Sequence, residues 1–251
     1  STNFRHLTGD ALAIAGKHNI ELQNPDYVQI HPTTFYTKHP EDRSFLISES
    51  VRGEGARLYD KNMNRFVNEL LPRDLLSQKI HEQMAKDDTD FVWEDLRTIP
   101  VETLRHHFPN IVEHCREMGY DVFKECIPVV PAQHYFMGGV KVDYQSRSSM
   151  ENLYVVGEAA CNGVHGKNRL ASNSLLESLV FARRAAQDMA EHDLKNASPQ
   201  NASEIADYLA SHVDFTPYQD IQTLAETYHH LATQAITLGQ NPEGRKEFLY
   251  V

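Results

Sequence analysis

The stretch that most constrains the fold is HGKNRLASNSLLESLVFARRAA, residues 165–186, which changes character halfway along its length. Its first half is polar and flexible. The second half begins a series of apolar residues spaced by three and four, namely Leu175, Leu179, Ala182, Ala186 and Met189. This spacing predicts a helix that buries those side chains. Ser174 and Glu177 match an S-x-x-E capping box, so we expect Ser174 to be the N-cap.

The tip of such a helix has chemistry of its own. Its first turn has free backbone N–H groups and a partial positive charge, which suit an anion or a carbonyl oxygen. Immediately upstream, Arg169 can bind a carboxylate through two parallel hydrogen bonds. A capped core helix beside an ordinary solvated arginine fits this stretch equally well, so the stretch alone leaves both interpretations open.

Composition excludes several classes of function. The chain has 251 residues, a net charge of -11 and no dense run of Lys or Arg, which argues against binding to nucleic acid or anionic membranes. No apolar run approaches the ~18 residues of a membrane span, and no signal peptide is visible. The three cysteines lack C-x-x-C spacing, which is typical of reduced thiols in a cytoplasmic protein. HEQMA, residues 81–85, lacks the second histidine of a zinc helix, so no metal site is expected.

Local patterns predict the following elements in the first half of the chain. Residues 8–19 predict a short helix capped by Asp10, with Ala11, Ile14 and Ala15 packed. Residues 27–36 predict a strand that ends at Pro32. Residues 44–67 predict short strands separated by turns at Gly and Asn.

Further along, residues 72–87 predict a helix with one apolar side, formed by Leu75, Leu76, Ile80 and Met84. Residues 101–118 predict a helical region broken near Pro109. Strands are expected around the glycine pair 138–139, and residues 152–160 predict a short buried strand that ends at Gly157. The chain enters a patterned segment directly after Ser1, and we expect it to be a piece of a longer protein.

Five motifs occur together in this sequence: QIHPTTFY, SESVRGEGARLYDKNMNRFVNE, LPRDLL, PAQHYFMGGVKVD and LYVVGEAACNGVHGKNRLASNSLLESLVF. In this combination the chain resembles, over about residues 1–190, the FAD-dependent flavoproteins of the succinate dehydrogenase, fumarate reductase and L-aspartate oxidase superfamily. NRLASNSLLE is more similar to the L-aspartate oxidases, because succinate dehydrogenases usually have a Gly-Gly-Asn-Ser version of this stretch.

The resemblance implies a particular fold. An α/β FAD-binding domain, only partly present, is interrupted by an α+β capping domain and followed by the start of a helical C-terminal domain. The FAD-binding domain would comprise residues 1–30 and 134–191, the cap residues 31–133, and the helical region residues 192–251. The G-x-G-x-x-G phosphate turn of the family's N-terminal half is absent from this chain, so the resemblance implies only part of an FAD site.

The resemblance also implies substrate residues, since a small dicarboxylate needs hydrogen-bond donors at both ends. Arg169 would bind one carboxylate, and His31, His134 and the hydroxyl of Ser48 would bind the substrate carboxylates as well. The usual residue at position 48 is threonine, and serine keeps its hydroxyl. Taken singly, each histidine could instead be hydrogen-bonded to backbone carbonyls near a turn. Because both histidines lie in motifs that match the family, we favour the substrate role.

Arg73, in LPRDLL, resembles the residue that relays a proton in this family, and His31 and Glu49 complete the expected catalytic set. Glu49 would orient a neighbouring histidine or arginine. A guanidinium is essentially always protonated, so Arg73 would act through a nearby carboxylate or by stabilising developing charge. A surface pair between Arg73 and Asp74 is the structural alternative.

For the flavin, the resemblance implies a non-covalent FAD site formed by four residues of this chain. Glu158, at the end of a strand, would accept a ribose hydroxyl. Ser174 and Leu175 at the helix tip would donate backbone N–H groups to the flavin carbonyl edge. Asp10 would line the cofactor, although helix capping alone would explain this residue.

The implied activity is oxidation of L-aspartate to iminoaspartate by hydride transfer to FAD, with oxygen or fumarate as oxidant. This reaction begins NAD biosynthesis through quinolinate, so quinolinate synthase is the expected partner enzyme. Two rivals remain: a succinate dehydrogenase or fumarate reductase flavoprotein subunit, and an isolated fragment that is inactive and cofactor-free.

Overall fold

The computed structural model describes residues 1–4, 6–38 and 43–193, together with Glu226 and His230. The expected helical region at 192–251 therefore lies almost wholly outside the described residues. Two compact units are present. The first unit comprises residues 1–6 and 28–135, and the second unit comprises residues 7–27 and the described residues from Phe136 onward. The domain boundaries implied by the resemblance stay a prediction.

The described residues form a mixed α/β structure, as expected from the sequence. Its helices are α1 (Asp10–Lys17), α2 (Glu49–Gly53), α3 (Arg73–Asp87), α4 (Val101–His107), α5 (Pro109–Glu117) and α6 (Asn173–Asp188). Its strands are β1 (Leu22–Gln23), β2 (Val28–Phe35), β3 (Arg57–Tyr59), β4 (Val92–Asp95), β5 (Ile127–Phe136), β6 (Gly139–Lys141) and β7 (Ala160–Cys161). A 3₁₀ turn covers Gly157–Ala159, and a π-helical turn covers Met189–Asp193. No helix within the described residues is both long and apolar enough to cross a membrane.

The first unit is built on a four-stranded sheet with strand order β2-β5-β4-β3. Strand β4 pairs antiparallel with both β3 and β5. Helix α3 packs on β2. The hydrophobic core includes fully buried aliphatic residues from the sheet, the helices and the segment before α2, among them Ile47, Leu58, Leu76, Ile80, Leu104 and Ile127. This packing fixes the start of α3 beside β2, where several of the predicted site residues lie.

The expected end of a strand at Pro32 is wrong, because β2 continues to Phe35. Strand β2 is the last strand of its sheet, and its other neighbour is only an isolated bridge between Thr34 and Leu46. A proline costs little at such an edge, because its missing N–H removes no bond from a central ladder.

The expected short strands over residues 44–67 are only partly correct. Strand β3 is present, but residues 49–53 form the short helix α2. Ser48 is its N-cap, and the Ser48 Oγ accepts a hydrogen bond from the Ser50 N–H at 3.3 Å. Serine at this position satisfies one of the unpaired N–H groups of the first turn, which favours a helix over a strand.

The helices expected at 72–87 and 101–118 are confirmed. Leu76 and Ile80 of α3 are buried, but Leu75 is exposed, so its predicted burial is wrong. The break in the second region separates α4 from α5, and α5 begins at Pro109. Proline fits the first position of a helix because the N–H it lacks would have no partner there.

The second unit contains a smaller sheet with strand order β1-β6-β7. Strand β5 ends just before the glycine pair 138–139, and β6 begins at Gly139, so strands lie around this pair as expected. A Cβ on Gly139 would lie 2.4 Å from the Ala159 carbonyl oxygen, so β6 approaches the 3₁₀ turn too closely for a larger residue. Cys161 is buried in β7, and it is a free thiol like Cys115 and Cys126.

The buried strand expected over residues 152–160 is wrong. Tyr154 makes only an isolated bridge with Arg147, and the paired strand is β7, which follows the turn. Gly157 has a φ of 72°, which breaks the extended path of the backbone. Glu158 consequently lies in the 3₁₀ turn before β7 and not at the end of a strand.

Capping of α1 by Asp10 is also wrong. The N-cap is Gly9 in the left-handed conformation, and Asp10 is the first helical residue. The Asp10 Oδ1 accepts a hydrogen bond from the Thr8 Oγ1 at 2.7 Å. Ala15 is buried as expected, but Ile14 is exposed, and Leu12 and Ala13 form the rest of the buried side.

The helix expected after residue 173 is present as α6, but its cap and its buried face differ from the prediction. The helix begins at Asn173, and its N-cap residue is Ser172, whose side chain makes no capping hydrogen bond. Leu175 and Leu179 are 74% and 73% exposed. The buried residues of α6 are Glu177, Phe181, Ala185 and Asp188. The apolar period is therefore helical, but the inner face carries two acidic residues, Glu177 and Asp188, beside Phe181 and Ala185.

Asp188 shows how a polar residue is held on that face. Its Oδ2 accepts hydrogen bonds from the Arg147 Nε and the Tyr154 hydroxyl, each at 2.6 Å. These bonds join the last turn of α6 to the loop after β6.

We predict that Asp188→Ala lowers the free energy of unfolding by about 1–3 kcal/mol, because it removes two charge-assisted hydrogen bonds from a buried carboxylate. Urea unfolding of the chain measures the change. Glu21→Ala is the matched control, since Glu21 pairs with Lys141 on the exposed surface of the same unit. We expect a loss below about 0.5 kcal/mol for this control. Equal losses in the two variants would contradict the prediction.

Candidate active site

Arg73, the first residue of α3, is the centre of a polar cluster in the first unit. Its buried guanidinium donates from Nε to the Glu49 Oε2 at 2.6 Å and from Nη1 to the Gln29 Oε1 at 3.0 Å. Packing of α3 on β2 places Arg73 next to Gln29, and the start of α2 supplies Glu49. The geometry therefore holds Arg73 in a fixed orientation against a carboxylate.

His31 lies on β2 and is almost completely buried. Its Nδ1 is 3.2 Å from the Thr33 N and 3.0 Å from the Thr33 carbonyl oxygen. The pKa of His31 is well below its usual value because of burial, and because Arg52 and Arg73 oppose a further positive charge. The imidazole is therefore neutral at pH 7.

The Nε2 of His31 is the atom of this cluster that fits a ligand. It is buried and has no hydrogen-bond partner among the described residues. A buried polar atom without a partner is costly, and such atoms in native structures call for an explanation. A carboxylate oxygen of a ligand would satisfy an N–H at this position. The ring of His134, on β5, lies edge-on to His31 at a centroid distance of 5.2 Å.

Ser48, predicted to bind a substrate carboxylate, already has a local role as the N-cap of α2. Its Oγ accepts from the Ser50 N–H, and a hydroxyl that accepts keeps its own hydrogen for another acceptor. The capping role and the predicted substrate role are therefore compatible.

Sequence reasoning missed Arg52, which lies one helical turn after Glu49 in α2. Arg52 is buried, donates to the Thr33 Oγ1, and donates from Nε to the Glu69 carbonyl oxygen at 3.3 Å. Burial lowers its pKa, against the opposing effect of nearby carboxylates including Glu94 and Glu49. The E-x-x-R spacing could have revealed it, since residues three apart share one face of a helix.

Glu94, on β4, was also missed. It is completely buried, and neither carboxylate oxygen has a hydrogen-bond partner within the described part of the chain. Burial raises the pKa of Glu94 to about 7, although the nearby Arg52 opposes this shift. No sequence signal could have found it, because an inward position of a central strand normally holds an apolar residue.

Arg169 is the centre of the second unit's cluster. It is buried, and its Nη1 donates to the Leu170 carbonyl oxygen at 3.2 Å and contacts the Ser174 Oγ at 3.5 Å. Its backbone N–H points to the Met137 Sδ at 3.2 Å. These contacts hold the guanidinium beside the first turn of α6, as the sequence suggested.

Two features of the second unit fit a flavin. The Glu158 Oε1 accepts from the Phe136 N–H at 2.8 Å, which fixes the carboxylate in the 3₁₀ turn. Ser174 and Leu175 lie in the first turn of α6, where the side chain of the N-cap residue, Ser172, makes no hydrogen bond to the backbone N–H groups. An uncapped helix N-terminus favours an electron-rich group such as a flavin carbonyl edge. Asp10 is exposed in the same unit.

Glu177 has a different role from the capping box predicted for it. Its buried Oε1 accepts from the Asn162 Nδ2 at 2.5 Å, and its Oε2 lies 4.0 Å from the His165 Nε2. Burial, and the proximity of Arg169, lower the pKa of His165. Glu177 therefore ties the loop before Arg169 to helix α6.

The predicted site residues thus fall into two clusters, one in each compact unit. The first unit holds His31, Ser48, Glu49, Arg73 and His134, and the second unit holds Asp10, Glu158, Arg169, Ser174 and Leu175. No group of His, Cys, Asp and Glu residues suited to a metal ion is present in the described ranges.

Comparison with known proteins gives one family and several relatives. Residues 1–175 match the FAD binding domain family. The chain is 56% identical over 189 residues to the L-aspartate oxidase of Clostridium perfringens, covering 75% of this chain and 43% of that protein. It is 45% identical over 213 residues to the L-aspartate oxidase of Nostoc sp., covering 79% of this chain and 36% of that protein.

Solved structures agree with the predicted FAD-binding fold. A quinol-fumarate reductase structure with menaquinol matches with a TM-score of 0.72 and 33% identity, covering 82% of this chain and 39% of that chain. Sdh1 of Mycobacterium smegmatis matches with a TM-score of 0.60 and 30% identity, covering 92% of this chain and 41% of that chain. The chain spans less than half the length of the curated relatives it matches.

Glu94 gives a pH-dependent prediction about stability. The pKa of this carboxyl is raised from 4.5 to about 7 by folding, so the folded state binds the proton more tightly than the unfolded state. The contribution of Glu94 to the free energy of unfolding therefore falls as pH rises from about 4.5 to about 7, by up to about 3 kcal/mol. We expect Glu94→Gln to remove this fall, as measured by urea unfolding at pH 5 and pH 7.5.

Glu117→Gln, which neutralises an exposed carboxylate of α5, is the control and should leave the pH dependence unchanged. An identical pH dependence in the wild type and Glu94→Gln would show that Glu94 is not protonated by folding.

Proposed function

Since this chain belongs to the FAD binding domain family, we propose that the protein carrying it is an L-aspartate oxidase that converts L-aspartate to iminoaspartate. The observation that carries this proposal is the buried His31 Nε2 beside Arg73, a site that suits a carboxylate oxygen. The identity of 56% to a protein named L-aspartate oxidase supports the choice of substrate.

The chain's own residues would bind and orient the dicarboxylate. Arg169 would bind one carboxylate with its planar guanidinium. The neutral His31, with its Nδ1 accepting from the Thr33 N–H, would donate from Nε2 to a carboxylate oxygen. Ser48 and His134 would donate further hydrogen bonds to the substrate carboxylates. FAD, when bound, would supply the acceptor for a hydride from the α-carbon of the substrate.

Arg73 would assist the loss of a proton from the substrate ammonium group, because its positive charge opposes a second cation nearby. A guanidinium does not act as a base by itself, because it stays protonated. The Glu49 carboxylate, which accepts from the Arg73 Nε at 2.6 Å, is the group that would receive a proton passed along this pair. The pair would therefore combine electrostatic stabilisation with a route for the proton.

The second unit would supply part of a non-covalent FAD site. Glu158 would accept a ribose hydroxyl, and the backbone N–H groups of Ser174 and Leu175 would donate to the flavin carbonyl edge. Asp10 would line the cofactor. We also propose that oxygen or fumarate reoxidises the flavin, that the product enters NAD biosynthesis through quinolinate synthase, and that the protein is cytoplasmic.

A succinate dehydrogenase or fumarate reductase flavoprotein subunit is the second candidate. It is favoured by the matches to quinol-fumarate reductase and Sdh1, but their identities of 33% and 30% are lower than that of the L-aspartate oxidase of Clostridium perfringens.

The third candidate is a chain that binds no cofactor by itself, and the exposed apolar residues on the outer face of α6 favour it. Leu175, Leu176 and Leu179 are exposed there, and apolar patches of this kind usually mark a contact surface. This face would pack against further polypeptide in a complete FAD site.

We predict that the complete gene product loses its oxidised-flavin absorbance when L-aspartate is added without oxygen, and that succinate leaves the absorbance unchanged. The reason is that hydride transfer from a bound substrate reduces the flavin. Bleaching by succinate alone would support the second candidate. No bleaching by either compound, with FAD bound, would overturn the proposed substrate.

We predict that Arg169→Leu raises the KM for the dicarboxylate by about 10²-fold, because it removes two charge-assisted hydrogen bonds. Steady-state kinetics of the complete protein measure the change. Arg183→Leu is the matched control, since Arg183 is an exposed arginine of α6, the helix that follows Arg169. A KM for Arg169→Leu equal to that of this control would remove Arg169 from the substrate site.

A further inference from the structure

We propose that Glu94 controls how tightly the first unit's cluster binds a dicarboxylate, and that it acts through Arg52: a protonated Glu94 leaves the Arg52 charge unopposed, and an ionised Glu94 balances it. The proposal rests on the proposed function, because it assumes that the cluster around His31 and Arg73 binds a carboxylate. Glu94 is a positioning residue in this scheme and touches neither substrate nor flavin.

The place of Glu94 in the sheet directs its side chain into the core of the first unit. On β4 it lies directly opposite Leu58 of β3 and Ile127 of β5, so the three side chains share one face of the sheet. All three residues are completely buried. Neither oxygen of the Glu94 carboxyl has a hydrogen-bond partner among the described residues. A carboxylate is costly in such surroundings, so burial favours the protonated form.

Arg52, on α2, is the cation that acts on this carboxyl. Burial has the largest influence on the pKa of both groups, raising that of Glu94 and lowering that of Arg52, and each group opposes this shift in the other. Within the described part of the chain, Arg52 donates its hydrogen bonds to neutral oxygens, the Thr33 Oγ1 and the Glu69 carbonyl. Both side chains are buried, so water screens their interaction little.

The other charged groups around this pair are already balanced or neutral. Two carboxylates that act on Arg52 form ion pairs with other arginines, Glu69 with Arg65 at 2.7 Å and Glu49 with Arg73 at 2.6 Å. The Cys115 thiol of α5, on which Glu94 also acts, is neutral because burial raises its pKa to about 12. Ionisation of Glu94 therefore decides whether the buried charge of Arg52 is balanced.

A short path joins Arg52 to the candidate site. Arg52 donates to the Thr33 hydroxyl, and the Thr33 N–H donates to the His31 Nδ1 at 3.2 Å. After burial, the charge of Arg52 is the next cause of the low pKa of His31. The same charge would attract a dianion beside His31. As pH rises through the pKa of Glu94, about 7, the carboxylate forms, the Arg52 charge is balanced, and dicarboxylate binding weakens.

The test compares the Kd of malonate for wild type and for Glu94→Gln, measured by isothermal titration calorimetry on the complete, FAD-loaded protein. Malonate is the probe, since oxidation of its single methylene carbon can give neither an imine nor an alkene. At pH 8.5 we expect Glu94→Gln to bind malonate about threefold more tightly, because it stays neutral where Glu94 is ionised. At pH 6 the two Kd values should agree within about 1.5-fold. Comparing two proteins at one pH cancels the protonation of the probe.

The direction of the effect separates this role from a merely structural one. Loss of core packing would weaken binding at both pH values, whereas the proposal requires a gain of affinity at pH 8.5. Glu94→Leu places an uncharged side chain in the same apolar surroundings, so it should match Glu94→Gln and serves as the test if the buried amide impairs folding. Glu117→Gln, which removes an exposed carboxylate of α5, is the matched control and should keep the wild-type Kd at both pH values.

The outcomes distinguish the proposal from the proposed function. If wild type binds malonate and the Glu94 variants bind it equally or more weakly at pH 8.5, Glu94 does not control the affinity, and the proposed function stands. A gain of equal size at pH 6 and pH 8.5, or an equal gain in Glu117→Gln, also overturns the proposal. If wild type binds malonate at neither pH, the dicarboxylate site itself is wrong, and the role of Glu94 fails with it.

Discussion

The carboxylate of Glu69 is the group on which the polar interior of the first unit depends. It is fully buried, and a buried charge is stable only when it is paired and hydrogen-bonded. Burial alone would raise the pKa of Glu69, but hydrogen bonds from Arg65 and from the Leu58 N–H outweigh this effect and hold it below its usual value. Glu69 thereby joins β3 to the loop that precedes α3.

The same residue begins a chain of contacts that ends at the candidate site. The Glu69 carbonyl oxygen accepts from Arg52, Arg52 donates to the Thr33 hydroxyl, and the Thr33 backbone contacts the His31 Nδ1. Each contact leaves the next group with fewer allowed orientations. The result is a neutral, buried imidazole of His31 whose ring orientation is fixed by these contacts.

Much of the candidate site could be predicted from short motifs, because several of its residues lie close together in sequence. Arg169 and the first turn of α6 are neighbours along the chain, and the structure places the Arg169 Nη1 3.5 Å from the Ser174 Oγ. Arg73 begins a helix, as its motif suggested. Their partners could not be predicted in the same way. Gln29 reaches Arg73 from 44 residues away, and Thr2 reaches His134 from 132 residues away.

The sequence by itself determined the mixed α/β class, the helix after residue 173 and the break at Pro109, because helical period and proline chemistry act within a few residues. Only the tertiary structure decided which face of α6 is buried. Asn162 and Arg147 supply partners for Glu177 and Asp188, so these acids lie inside, while Leu175 and Leu179 are exposed. A buried polar group is stable where a distant segment supplies its hydrogen bond, and that segment is identified only by the fold.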